Sequence, residues 1–225
     1  MKAVLIKKTF FVCLLLLSTQ LLHAEIAFEQ LPMYAHVNKN NSNDNAEYEP
    51  GLFDKAIRTF GTQKHASEGY TEKGFDHYSN NEFNKSMKRF NQAWLLNPEN
   101  PYPYLGFGLL MRANNQYCDA YKMFKLANEK GLKENGFLAD YAYTASQCAI
   151  KNNEALTLFE VSNDLHSQAI ETPNKRLQAY VYHSWAKSYF LQKNIDKTNE
   201  MIDASISLGG KIDPSLLENI KNYKN

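Results

Sequence analysis

The residues of this 225-residue chain best equipped to act as nucleophiles or metal ligands are three cysteines and six histidines, and their spacing points away from catalysis. There is no His-Glu-x-x-His, no Gly-rich phosphate loop and no Gly-x-Ser-x-Gly turn. The histidines stand at 23, 36, 65, 77, 166 and 183, and no two are three or four residues apart, the spacing that would put two imidazoles on one helix face. No metal, no cofactor and no enzymatic activity are therefore expected. His77 reads as a packing histidine. Asn40 and Asn84 each open an Asn-x-Ser triplet, which matters only where a host glycosylates it.

The first residues carry a different kind of information. Met1 to Lys8 contains Lys2, Lys7 and Lys8 and no acid, and an apolar run follows from Thr9 to Leu17. Ala24 then supplies a small residue before Glu25. This is the layout of a secretory signal peptide over residues 1–24, with cleavage between Ala24 and Glu25. Cys13 follows Val12 inside the apolar run, which is not the setting of a lipid-modified cysteine. The run is too short for an ordinary membrane span and no second one follows, so no membrane insertion is expected once the signal is removed. Loss of residues 1–24 leaves 22 basic against 24 acidic side chains. That balance provides no basic excess for nucleic acid. Two cysteines remain, Cys118 and Cys148, and an even pair in an exported chain suggests a disulfide.

The elements that must position these residues read as helices. Ten Gly and seven Pro are few for a β-sandwich of this length. Residues 25–50 are expected to be a flexible arm, with the polar run Asn-Lys-Asn-Asn-Ser-Asn-Asp-Asn from Asn38 to Asn45. Residues 51–66 predict a capping helix with Leu52, Phe53, Ala56, Ile57 and Phe60 on its apolar side. From Ser67 the pattern repeats every 34 residues. With Ser67 as the first position, Tyr70, Gly74, His77, Phe83, Ser86, Phe90, Ala93 and Pro98 fall at positions 4, 8, 11, 17, 20, 24, 27 and 32. With Pro101 as the next first position, Tyr104, Gly108, Met111, Tyr117, Ala120, Phe124 and Ala127 fall at 4, 8, 11, 17, 20, 24 and 27. Small residues at 8, 20 and 27 let two antiparallel helices approach closely, and bulky ones fill the remaining space.

This spacing resembles the tetratricopeptide repeat, with its aromatic-x2-Leu-Gly-x2-Tyr, Ala-x3-Phe-x2-Ala and Pro pattern. Two further units follow in looser register, from Asn135 and from Ala179. The resemblance covers units 67–100, 101–134, 135–170 and 179–212. It implies an all-α fold, a right-handed superhelical stack of antiparallel helix hairpins, closed by a capping helix over 213–225 that opens on Asp213-Pro214 and buries Leu216, Leu217 and Ile220. It also implies that Cys118 and Cys148 can meet, because the start of one helix lies beside the end of the next across the turn at Gly131–Gly136. Such a bridge would contribute about 3–4 kcal/mol on the chain-entropy model.

Carried onto this chain, the family's groove positions are Phe75 and Tyr78 in the first unit, and Tyr102, Leu105, Leu109 and Arg112 in the second. They are Tyr143, Ser146 and Gln147 in the third, and Tyr180, His183, Lys187 and Phe190 in the fourth. Tyr and Arg suit recognition because each joins large contact area to a polar end. Glu68 is the only acid at such a position, so the groove lacks the carboxylate pair of a glycosidase. Thr71, Phe75, Gly106, Gly136 and Asp140 stand where a chaperone-binding carboxylate clamp needs Lys and Asn, so that specialisation is missing. The expected function is a non-enzymatic scaffold or adaptor that binds a protein or peptide in the bacterial periplasm or outside the cell, assisting envelope assembly or secretion. An immunity protein against a toxin delivered to the periplasm, and a structural protein that self-associates into a homo-oligomer, are the alternatives. Mass spectrometry of the exported protein is expected to place its N-terminus at Glu25; an intact residue 1 would overturn the export reading.

Overall fold

The structure is a computed structural model that describes residue 32 and residues 51–151 and 155–223. The expected signal segment 1–24, the arm over 25–50 apart from Pro32, and residues 152–154 and 224–225 lie outside the described residues.

Ten helices and no strand are found among the described residues. They are α1 (Leu52–Phe60), α2 (Gln63–Ser79), α3 (Phe83–Leu96), α4 (Tyr102–Ala113), α5 (Tyr117–Glu129), α6 (Asn135–Ala149), α7 (Ala155–Ala169), α8 (Lys175–Leu191), α9 (Ile195–Ser207) and α10 (Pro214–Tyr223). The chain is an all-α stack of helix hairpins: α2 pairs with α3, α4 with α5, α6 with α7 and α8 with α9, and the hairpins meet through α3 on α4, α5 on α6 and α6 on α8.

Local chemistry explains the helix ends. The Thr62, Asn174 and Asn194 side chains accept hydrogen bonds from the third backbone N–H of α2, α8 and α9, each at 3.1 Å. The Asp213 carboxylate accepts from the second residue of α10, the Ser215 backbone N–H, at 2.9 Å, ahead of a helix that starts on proline. The turns inside three hairpins pass through a left-handed residue, Asn81, Asn115 and Lys193, with φ of 58°, 59° and 59°. Asn81 and Asn115 stand one 34-residue period apart.

The close approach of helices rests on glycine facing phenylalanine. A Cβ on Gly74 of α2 would lie 2.5 Å from the Phe90 ring of α3, and one on Gly106 of α4 would lie 2.3 Å from the same ring. Gly108 of α4 meets Phe124 of α5 in the same way, at 2.2 Å. Phe90, Phe107 and Phe124 are fully buried, and Phe107 packs edge-on to Phe90 at 6.2 Å. Ser86, the small residue at position 20 of the first unit, donates to the Gly74 carbonyl at 2.8 Å and so satisfies a buried group at the contact.

The caps differ in detail from the sequence expectation. Helix α1 ends at Phe60 before Gly61 (φ 83°), and residues 63–66 belong to α2. Leu52 and Ala56 are buried, but Ile57 faces solvent because α1 has one principal neighbour, α2, and a correspondingly narrow contact stripe. In α10, Leu216 and Ile220 pack with Ala186, Met201 and Ile202, whereas Leu217 is 48% exposed.

Cys118, in the first turn of α5, and Cys148, near the end of α6, are joined with an S–S distance of 2.02 Å and Cα atoms 4.7 Å apart. Leu158, Ala149 and the half-buried Tyr117, Tyr121 and Phe159 pack around the bridge.

Two glycine substitutions are expected to act with opposite sign. Gly106→Ala drives a methyl into the Phe90 ring and should destabilise by about 1–3 kcal/mol. Gly136→Ala meets only Leu177 at 3.7 Å and should stabilise by about 0.5–1 kcal/mol through helix propensity. Urea unfolding of both variants checks the pair.

Candidate functional site

The first helix of each hairpin carries the residues expected to bind. On α2, Phe75 is half-buried and packs edge-on against Phe90 at 5.0 Å, and Tyr78 lies against Phe83 at 5.7 Å. On α4, Leu105 and Leu109 are also half-buried against the main core. These four positions form an apolar stretch whose inner sides belong to the core.

The polar positions converge across α4, α6 and α8. Asp140 of α6, which sequence reasoning considered only as a mismatch to a chaperone clamp, is their centre. Its Oδ1 accepts from Arg112 Nη1 at 2.7 Å and from the Tyr180 hydroxyl at 2.8 Å, so one carboxylate oxygen ties three helices together. Burial alone would lower the Arg112 pKa, but the charge and hydrogen bond of Asp140 outweigh it and the net shift is upward. Burial, reinforced by Asp140, raises Tyr180 above the ordinary tyrosine value, so it remains a hydrogen-bond donor. About two turns further along α8, the Lys187 ammonium sits 4.6 Å from the centre of the Tyr143 ring of α6. Burial lowers the Lys187 pKa while the charges of Asp213 and Asp140 oppose that shift.

The remaining predicted residues flank this centre. Tyr102 is 41% exposed and donates to Glu134 Oε1 at 2.9 Å. His183 is half-buried, and its Nε2 accepts from the Asp213 backbone N–H at 3.4 Å, which ties α8 to the start of α10. Burial, then the neighbouring Lys187 charge, lowers the His183 pKa. Gln147 is half-buried, with a buried Oε1 that has no donor among the described residues. The structure thus links Arg112, Tyr180, Tyr143 and Lys187 through α6, and leaves Phe75 and Tyr78 packed against Phe90 and Phe83, with Tyr78 within electrostatic reach of Arg112. His77 is not a core residue: it is half-buried at the end of α2, with Nδ1 paired to Glu82 Oε2.

His166 had no sequence feature to single it out, yet it lies fully buried behind α8. Its Nδ1–H donates to the Ser162 carbonyl at 2.9 Å, which leaves Nε2 as the lone-pair nitrogen, 3.1 Å from Ser184 Oγ. The ring stacks on Trp185 at 5.4 Å.

Among the described residues no three His, Cys, Asp or Glu side chains gather as a metal-ligand group, and no helix is long and apolar enough to cross a membrane. No protein-family model matches the chain, and no curated protein matches it.

Burial pushes the His166 pKa down to about 3. The folded chain therefore holds the ring neutral, whereas the unfolded chain protonates it below about 6.5. This contribution is fully present above pH 6.5 and is lost as the pH falls from there toward about 3, by up to about 1.4 kcal/mol per pH unit. Urea unfolding at pH 7 and pH 5 should show a loss of about 2 kcal/mol in the native chain, most of it absent in His166→Gln.

Proposed function

We propose that this protein is a non-enzymatic scaffold of the tetratricopeptide type, exported to the bacterial periplasm or beyond, that binds a protein or peptide along the first helices of its hairpins. The hairpins wind as a right-handed superhelix in this reading, and α2, α4, α6 and α8 line its concave groove. The observation that carries it is the convergence of Arg112, Tyr143, Tyr180 and Lys187 from three successive first helices around Asp140, with Tyr102 at its flank on Glu134. Tyr and Arg are favoured at interfaces, because rigid aromatic rings and the planar guanidinium fork bring contact area and directed hydrogen bonds. Their mutual contacts hold them in place before a partner arrives, which reduces the ordering cost of binding.

The glycine–phenylalanine contacts and the left-handed turn one period apart support the repeat reading. The Cys118–Cys148 pair agrees with an exported chain. Assistance to envelope assembly or secretion is the role that such an adaptor would fill.

The test is a pull-down from the source cell envelope with the exported protein as bait, beside a Tyr102→Ala/Tyr143→Ala/Lys187→Ala variant whose circular dichroism matches the native chain. A protein retained at least about tenfold better by the native chain is the expected result. Equal retention by both would overturn the groove as the binding site.

A further inference from the structure

A cavity of about 660 Å³ opens beside the start of α8, between that helix and the segment that joins α9 to α10. That volume is within the range of ordinary ligand sites. Lys175 and Arg176 line it from α8 and Lys211 from the joining segment, with Leu208 as apolar lining. Tyr180 and His183 belong both to this cavity and to the first-helix face, so the two are continuous.

The lining carries three cations and no acid. Lys175, Arg176 and Lys211 are exposed, and none of them pairs with an acid among the described residues. Two acids of the neighbouring face are already engaged. Asp140 accepts from Arg112 and Tyr180. The Asp213 carboxylate caps α10 through Ser215, and its charge falls on His183 and Lys187. Lys187 itself rests on a tyrosine ring rather than on a carboxylate. Three cations around one cleft focus a positive potential that attracts an incoming anion.

We propose that this cavity receives an acidic segment of a bound peptide, with carboxylates held by Lys175, Arg176 and Lys211 and the chain continuing past Tyr180 and His183 onto the face of α6 and α8. This deepens the scaffold reading and rests on it. A peptide fits better than a lone small anion: the volume is many times that of one anionic group, the lining includes apolar carbon, and the cleft leads onto an aromatic surface.

The experiment is a fluorescence-polarisation titration of the exported protein with a fluorescein-labelled Ala-Glu repeat peptide of about ten residues and its Ala-Gln counterpart. Lys175→Glu/Arg176→Glu/Lys211→Glu reverses the cavity, and Lys55→Glu/Lys64→Glu/Lys221→Glu makes the same charge change on exposed residues elsewhere. Binding of the Glu peptide, weakened about tenfold or more by the cavity variant and less than about twofold by the control, is the expected result. Equal weakening by both variants, equal binding of the Gln peptide, or no binding at all would overturn the proposal. So would displacement of the peptide by millimolar phosphate beyond that caused by chloride of matched ionic strength, which would make the cavity a small-anion site. The pull-down separates the two readings. If the cavity variant retains the envelope partner and the Tyr102/Tyr143/Lys187 variant loses it, the cavity proposal fails and the groove stands. The reverse pattern removes the groove and keeps the cavity.

Discussion

The Phe90 ring lies against two glycines on two different helices, and the rest of the stack depends on that contact. Gly74 of α2 and Gly106 of α4 bring bare backbone to the ring at distances where a methyl group would overlap it. A first helix, its own second helix and the next first helix are thereby held closer than side chains would allow. Gly108 and Phe124 repeat half of this arrangement one hairpin later. Interiors packed at crystal-like density transmit a displaced methyl to their neighbours, so the spacing of the hairpins is set here. The fully buried Phe107 continues the same row of rings.

Because the large apolar side chains are used between helices, the outer face of α4, α6 and α8 is free for polar and aromatic groups. Asp140 alone cannot neutralise the basic residues there. It holds Arg112 and Tyr180, while Lys187 is stabilised by the quadrupole of the Tyr143 ring. Aromatic rings here take the place that carboxylates occupy in a surface ion-pair network. They let the cation sit half-buried without cancelling its charge. The result is a face that is ordered before any partner is present and positive toward its α8 end.

Behind that face, α7 and α8 are joined by buried polar contacts rather than by apolar packing alone. Ser146 donates to Ser162 Oγ, His166 Nδ1–H donates to the Ser162 carbonyl, and the Ser184 hydroxyl, with one proton to give, lies within reach of both His166 Nε2 and the Ala139 carbonyl. Burial, rather than these hydrogen bonds, keeps His166 neutral. The Cys118–Cys148 bridge fastens the neighbouring pair, α5 and α6, by restricting the unfolded chain. The stack thus uses a different device at each joint: glycine against phenylalanine early, a disulfide in the middle, and hydroxyl–imidazole contacts later.

The helices were legible in the residues themselves, and the hairpin order and the meeting of the two cysteines through the repeat that those residues resemble. Those features follow from local period, from caps such as Asp213-Pro214 and from distance to a turn, all of which are one-dimensional quantities. Tyr102, Tyr143, Tyr180 and Lys187 could likewise be marked by position. What linked them could not, because Asp140 looks ordinary until folding brings Arg112 and Tyr180 to the same oxygen from residues 28 and 40 positions away. His77 and His166 make the same point in opposite directions. A histidine at a packing position turned out to be half-exposed beside Glu82, and one without any motif lies at the centre of the α7–α8 joint. The exposure of Ile57 and Leu217 was hidden for a related reason: an end helix is covered on one side only, and periodicity reports an apolar side without saying how wide the covering surface is. Sequence alone determined which segments are helical and how they alternate, since backbone preference and apolar period act over a few residues. Only the tertiary structure decided which charges meet and which are left over, because electrostatic pairing depends on distances between helices that are far apart in the chain.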